Sequence, residues 1–238
     1  MTELREGQEL ATHALILSVT PFEDNHRIVK LLSPELGKFT ALARNAARSR
    51  KRFGAGLEPM NHVKAHVRVS RGVAAQREQA LYGLDSVELQ SSFLHLRASY
   101  AGLETALFVL RLIGDLIPDG HVDAHLFRSI GRLYRDLKPE FWVQSSSQIR
   151  VLFWLWMADH LGYGRLLSEF FQFSSEDETL FFSTEFSIEQ LERLLLKFGR
   201  LNLDTTIEIK LYKEWTERSG LQWTHFERWL GSRSQRSH

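Results

Sequence analysis

In the first third of the chain the apolar positions keep a period of two. The stretch "HVKAHVRVS" (62–70) carries Val63, Ala65, Val67 and Val69 in alternation with Lys64, His66 and Arg68. Successive side chains of a strand point to opposite faces, so the spacing predicts a strand with one apolar and one basic face. Shorter apolar runs, "HALILSV" (13–19), "HRIVKLL" (26–32) and "FTALAR" (39–44), are separated by "PFEDN" and "SPELGK", which predict turns. "REQALYGL" (77–84) supplies a fifth strand. Five short strands at this spacing suit a small antiparallel barrel or sandwich.

From about residue 88 the apolar period becomes helical. Leu96, Tyr100, Leu103, Leu107 and Leu110 fall on one helix face. "HVDAHLFRSIGRLYRDL" (121–137) is a second candidate helix. Ile149, Leu152, Phe153, Trp156, Met157 and Leu161 make a third stripe, which stops at the glycines of "LGYG". Ile188, Leu191, Leu194, Leu195 and Phe198 make a fourth, and two more helices are expected near 204–218 and 222–230. "FFQFSSEDETLFFS" (170–183) interrupts the helices with aromatic runs around an acidic turn, the pattern of a hairpin. The fold class expected is α+β, strands first and helices after.

Charge divides the chain in the same place. Residues 1–83 hold 13 Lys/Arg against 8 Asp/Glu, and the remainder 17 against 21, so a basic part joins an acidic one within a net charge of +1. All six tryptophans lie beyond residue 140. There is no cysteine, which excludes disulfides and thiolate zinc sites and fits a cytoplasmic protein. No apolar run reaches the roughly 18 residues of a membrane span. The polar start "MTELREGQEL" does not suit a secretory signal.

Catalytic motifs are missing: no GxxxxGK[ST], no HExxH and no G-x-S-x-G. His121 and His125 are spaced i and i+4 and, with Asp119 or Asp123, make the best metal candidate; the alternative is an ordinary helix start. The stronger signal is "ARNAARSRKRFGAG" (43–56). Arg44, Arg48, Arg50, Lys51 and Arg52 fall within nine positions uninterrupted by an acid. Such a run is either a solvated loop or a polyanion site, because arginine and lysine gain affinity by displacing counterions from phosphates. Phe53 offers a stacking face, and Lys64, Arg68 and Arg71 extend the basic surface. In the helical part, Arg128, Arg132 and Arg135 share one helix side, and Trp154 lies off the periodic face of its helix. These make either a solvated face and core, or a rim and groove for an acidic peptide.

The order "ALILSVTPFEDNHRIVKLLSPELGKFTALARNAARSRKRFGAGLEPM" (14–60) resembles the N-terminal domain of the RecO family, the bacterial recombination mediators. The carriers are Ser33-Pro34-Glu35-Leu36-Gly37, the arginine-rich stretch Ala43 to Arg52, and Leu57-Glu58-Pro59-Met60. "FWLWMADHLGYGRLL" (153–167) resembles the family's helix ending in "LGYGP". The last seven residues, "SRSQRSH" (232–238), read by themselves as a disordered tail. The resemblance implies an OB-fold DNA-binding domain over 1–84 and a helical domain over 85–231. It implies a non-enzymatic, cytoplasmic, nucleoid-associated protein that binds single- and double-stranded DNA and anneals complementary strands. RecR and the C-terminal tail of the single-stranded-DNA-binding protein would be partners, in loading RecA along the RecF pathway. The DNA site would comprise Arg44, Arg48, Arg50, Lys51, Arg52, Phe53, Lys64, Arg68 and Arg71. Arg128, Arg132, Arg150 and Trp154 would take the protein tail. Many members carry a four-cysteine zinc site after "LGYG"; its cysteines are missing here, so no metal and no cofactor are expected. An OB-type RNA-binding module and a protein-interaction scaffold remain as other readings of the same residues.

Overall fold

The computed structural model describes residues 5–70, 81–162, 187–198 and 213. Arg71, the hairpin expected at 170–183, the helices expected at 204–218 and 222–230 and the tail at 232–238 lie outside them. The fold is mixed α+β. Strands β1 (Glu9–Phe22), β2 (His26–Ser33), β3 (Gly37–Ala43), β4 (His62–Arg68) and β5 (Tyr82–Ser91) form one sheet that closes on itself in the order β1-β2-β3-β5-β4. The closing pair corrects the all-antiparallel expectation. β3 meets β5 in parallel, through Ala41 and Leu42 opposite Tyr82 and Gly83. β5 continues to Ser91, past the change of period, and residues 77–80 of the expected fifth strand lie outside the described residues.

β1 serves two neighbours. Its first half pairs with β4 from Glu9 opposite Arg68 to Leu15 opposite His62, and its second half pairs with β2 to Phe22 opposite His26. A bulge between Ile16 and Ser18 marks the change of partner, where an extra residue bends the strand. The alternating apolar residues fill the ring: Ala14, Ile16, Val29, Leu31, Phe39, Ala41, Val63, Ala65 and Val67 are all buried in one cluster.

The chain divides into two compact units, residues 1–137 and 138–238. The first holds the ring, the one-turn helix α1 (Arg50–Phe53), α2 (Leu94–Arg97), α3 (Tyr100–Leu116) and α4 (Ala124–Asp136). Ser99 caps α3 by accepting from the Gly102 N–H, and Asp123 caps α4 by accepting from the Leu126 N–H at 2.8 Å. That cap places His121 ahead of the helix, so His121 and His125 do not share a helix face, which corrects the i, i+4 geometry expected of them. Among the described residues no group of three or more metal-ligating side chains forms.

The second unit's described helices are α5 (Pro139–Gln144), α6 (Ser146–His160) and α7 (Ile188–Phe198). α6 is buried on every side from Ile149 to Ala158. Among the described residues no helix is long and apolar enough to cross a membrane.

Candidate nucleic-acid interface

The basic segment leaves β3 and folds against the β1–β2 hairpin. Asn45 turns the chain with φ +55°, a conformation asparagine tolerates better than most residues. Its N–H donates to His26 Nδ1 at 3.0 Å, and the Ala47 N–H donates to the Asn25 carbonyl at 3.1 Å. The loop is therefore held at two points rather than left free. Arg44, Arg48, Arg50 and Lys51 are exposed, and among the described residues none of them pairs with a carboxylate.

Arg52 and Phe53 do something else. Arg52 donates from Nε to Ser49 Oγ at 3.0 Å and from Nη2 to the Arg44 carbonyl at 2.8 Å, and its guanidinium lies 4.9 Å from the Phe53 ring centroid. Phe53 is only 3% exposed and belongs to the ring core. This overturns its expected role as a stacking face. The single turn of α1 rotates Phe53 inward and leaves the charged residues outside. Arg52 and Phe53 hold the loop in shape.

The basic face of β4 is present but neutralised. Register sets Glu9 opposite Arg68 and Glu88 opposite Lys64. Arg68 pairs with Glu9 at 3.0 Å and with Asp85 at 3.1 Å, and His66 meets Glu88 at 2.9 Å. The His66 hydrogen bond, and then the Lys64 charge, hold the Glu88 carboxyl below its usual range. The free positive charge of the ring therefore concentrates in the loop.

A second basic feature lies at the other side of the ring. α4 covers part of the β1–β4 outer face and leaves a cavity of about 330 Å³. Leu15, Phe93 and Phe127 give it an apolar lining, and Arg128, Arg132 and Arg135 border it. Arg135 is engaged bidentately by Asp136 at 2.8 and 3.1 Å. Arg128 and Arg132 are exposed and unpaired among the described residues. Arg150 and Trp154 belong to the second unit, where they are 1% and 2% exposed, which corrects their expected place on a peptide-binding surface.

His62 lines the same cavity, with its Nε2 3.2 Å from His13 Nδ1 and its ring edge-on to Phe127. Burial first, then the charges of His13 and Arg135, push the His62 imidazole below its ordinary range. The fold thus favours neutral His62. Its contribution to stability is complete above the ordinary histidine value and is lost as pH falls through the lowered folded one. Between about pH 7.5 and about pH 5, His62→Gln is expected to lose less stability in urea titrations than the native chain, by under about 1 kcal/mol for a half-buried group that solvent still screens. Equal losses would remove His62 from the pH response.

Comparison with known proteins agrees with the sequence pattern. Residues 8–93 match the family model described as recombination protein O N terminal. The "DNA repair protein RecO" of Pelobacter propionicus is 33% identical over 150 residues, covering 63% of this chain and 57% of that protein. The protein of the same name from Anaeromyxobacter sp. strain K is 34% identical over 113 residues, covering 48% and 42%. That of Myxococcus xanthus is 31% identical over 114 residues, covering 48% and 44%. The chain spans about half the length of the curated relatives it matches. The match over residues 8–93 takes in the whole strand ring and its arginine loop, so this part of the chain is similar to a recombination protein O N-terminal domain, and the chain resembles the RecO proteins over that part and the helices that follow it.

Proposed function

We infer that the chain is a DNA repair and recombination mediator that works without covalent chemistry. The observation that carries this is the arginine loop. Arg44, Arg48, Arg50 and Lys51 are exposed, uncompensated and fixed against the β1–β2 hairpin. A fixed cluster of unpaired cations is suited to phosphate, because neutralising phosphates releases condensed counterions. The closed five-stranded ring is of the size and connectivity of an OB-fold, whose loops and strand faces take up oligonucleotides. On this reading the loop holds single- and double-stranded DNA and lowers the repulsion between complementary strands so that they anneal. The setting is the RecF pathway at the nucleoid, with RecR as partner and RecA loaded onto coated DNA. The cavity bordered by Arg128 and Arg132, apolar within and cationic at its edge, is suited to the acidic, hydrophobic C-terminal tail of the single-stranded-DNA-binding protein.

The test is a salt titration. Replacing Arg44, Arg48, Arg50 and Lys51 together by alanine is expected to weaken oligonucleotide binding. On single strands, the log–log dependence on salt should flatten by about 0.7 for each phosphate that is no longer neutralised. An unchanged slope, measured by fluorescence anisotropy, would sink the assignment of the loop. Lys64→Ala and Arg68→Ala serve as controls and are expected to move the slope less, since acids already face both side chains.

A further inference from the structure

The arginine loop lacks the aromatic partner that Phe53 was expected to provide, and the structure offers another on the neighbouring hairpin. Phe22 closes β1 and is 38% exposed. Directly opposite residues of antiparallel strands share a sheet face. Phe22 is paired with His26, and the β2–β3 register, carried one residue past Ala43, sets Arg44 beside His26. The hydrogen bond from the Asn45 N–H to His26 Nδ1 ties the loop to that row. Val29 and Leu31 point into the ring, so this row and its neighbours, Thr20, Ile28 and Leu42, belong to the outer face.

Phe22, His26 and Arg44 therefore lie side by side across three strands, with Phe22 and Arg44 about 10 Å apart. A nucleotide and an arginine side chain together bridge that gap. The hairpin tip beyond Phe22 carries Glu23 and Asp24, both exposed, with Glu23 3.5 Å from His26. Carboxylates at the tip repel phosphate there, and the cations on the other flank attract it. The field thus orients a strand with its backbone toward the loop and its bases toward Phe22.

We propose that Phe22 is the base-stacking residue of this surface, which takes single-stranded nucleic acid with the bases on the Phe22 ring and the phosphates on Arg44, Arg48, Arg50 and Lys51. This rests on the phosphate-binding reading of the loop. Paired bases in a duplex present no free face to the ring, so Phe22 acts on unpaired strands only.

Three probes test it with the full chain: a labelled oligo-dT, an abasic strand of equal length and a blunt duplex. Phe22→Ala is expected to weaken oligo-dT binding about tenfold, within the range for removal of one base–aromatic stack. Abasic and duplex binding should stay within about twofold, and the salt slope should not move, because no charge is removed. Phe22→Tyr should restore oligo-dT binding. Unchanged oligo-dT affinity in Phe22→Ala, with the loop variant impaired, would overturn the stacking role and leave the loop standing. A loss shared by all three probes, or one that tyrosine fails to restore, would also overturn it. Selective loss in Phe22→Ala with an unaffected loop variant would keep the stack and remove the loop. Circular dichroism guards against misfolding, to which a partly exposed hairpin residue contributes little.

Discussion

A Phe53→Ala chain is expected to lose about 3–5 kcal/mol of stability, the usual cost of truncating a buried aromatic. The side chain is nearly inaccessible and packs with Val87, Leu84 and the apolar residues of β1 to β4 inside the ring. Set against a total stability of about 5–15 kcal/mol, that loss would show as a large fall in the urea midpoint. The informative companion is Phe53→Leu. A core role predicts that leucine recovers much of the stability and binds oligonucleotide as the native chain does, since apolar volume is largely kept. A stacking role predicts that leucine binds as poorly as alanine. Urea melts and anisotropy on both variants separate the two.

Gly37→Ala is expected to be the second severe lesion, at about 2–5 kcal/mol. Gly37 opens β3 with φ +69°, and a Cβ built there would meet the His121 carbonyl oxygen at 2.1 Å. The obstacle is backbone held on both sides. Lys38 Nζ donates to the Gly114 carbonyl at 2.7 Å and pairs with Asp119 at 3.1 Å, and the Gly120 N–H donates to the Lys38 carbonyl at 2.7 Å. Gly120→Ala is the control. Its φ of +77° carries the same conformational cost, but nothing stands within 4 Å of the added carbon, so only about 1 kcal/mol is expected. Thermal melts of the two variants should differ clearly; equal shifts would mean that the close approach carries no energy.

The alternation of β4 was fully legible in the sequence. Val63, Ala65 and Val67 are in the core, and Lys64, His66 and Arg68 face outward. What those charges do was not legible, because their partners Glu9, Asp85 and Glu88 come from strands adjacent in space and distant in sequence. Trp154 misled for a related reason. Periodicity separates faces only where one side of a helix meets water, and α6 is apolar or buried all round. Phe53 sat in a charged run and looked exposed until one helical turn rotated it inward. Phe22 stands inside "PFEDN", a stretch whose composition is that of a turn. Its signal was available: it is the last apolar residue before the tip of a predicted hairpin.

The double pairing of β1 also sets an order of events in folding. β1, β2 and β3 are consecutive hairpin partners, whereas the first half of β1 waits for β4, from Glu9 to Arg68. Pairings between neighbours in sequence close small loops and form early; distant ones carry more chain entropy and form late. The meander therefore assembles first and the ring shuts last. On a ribosome, where the chain emerges from its N-terminus, the hairpin that latches the arginine loop emerges before β4 does. The cationic loop is then tied to the hairpin at Asn45 and Ala47 while the core beneath it is still open, and it takes its full shape only as β4 and β5 arrive and Phe53 enters that core.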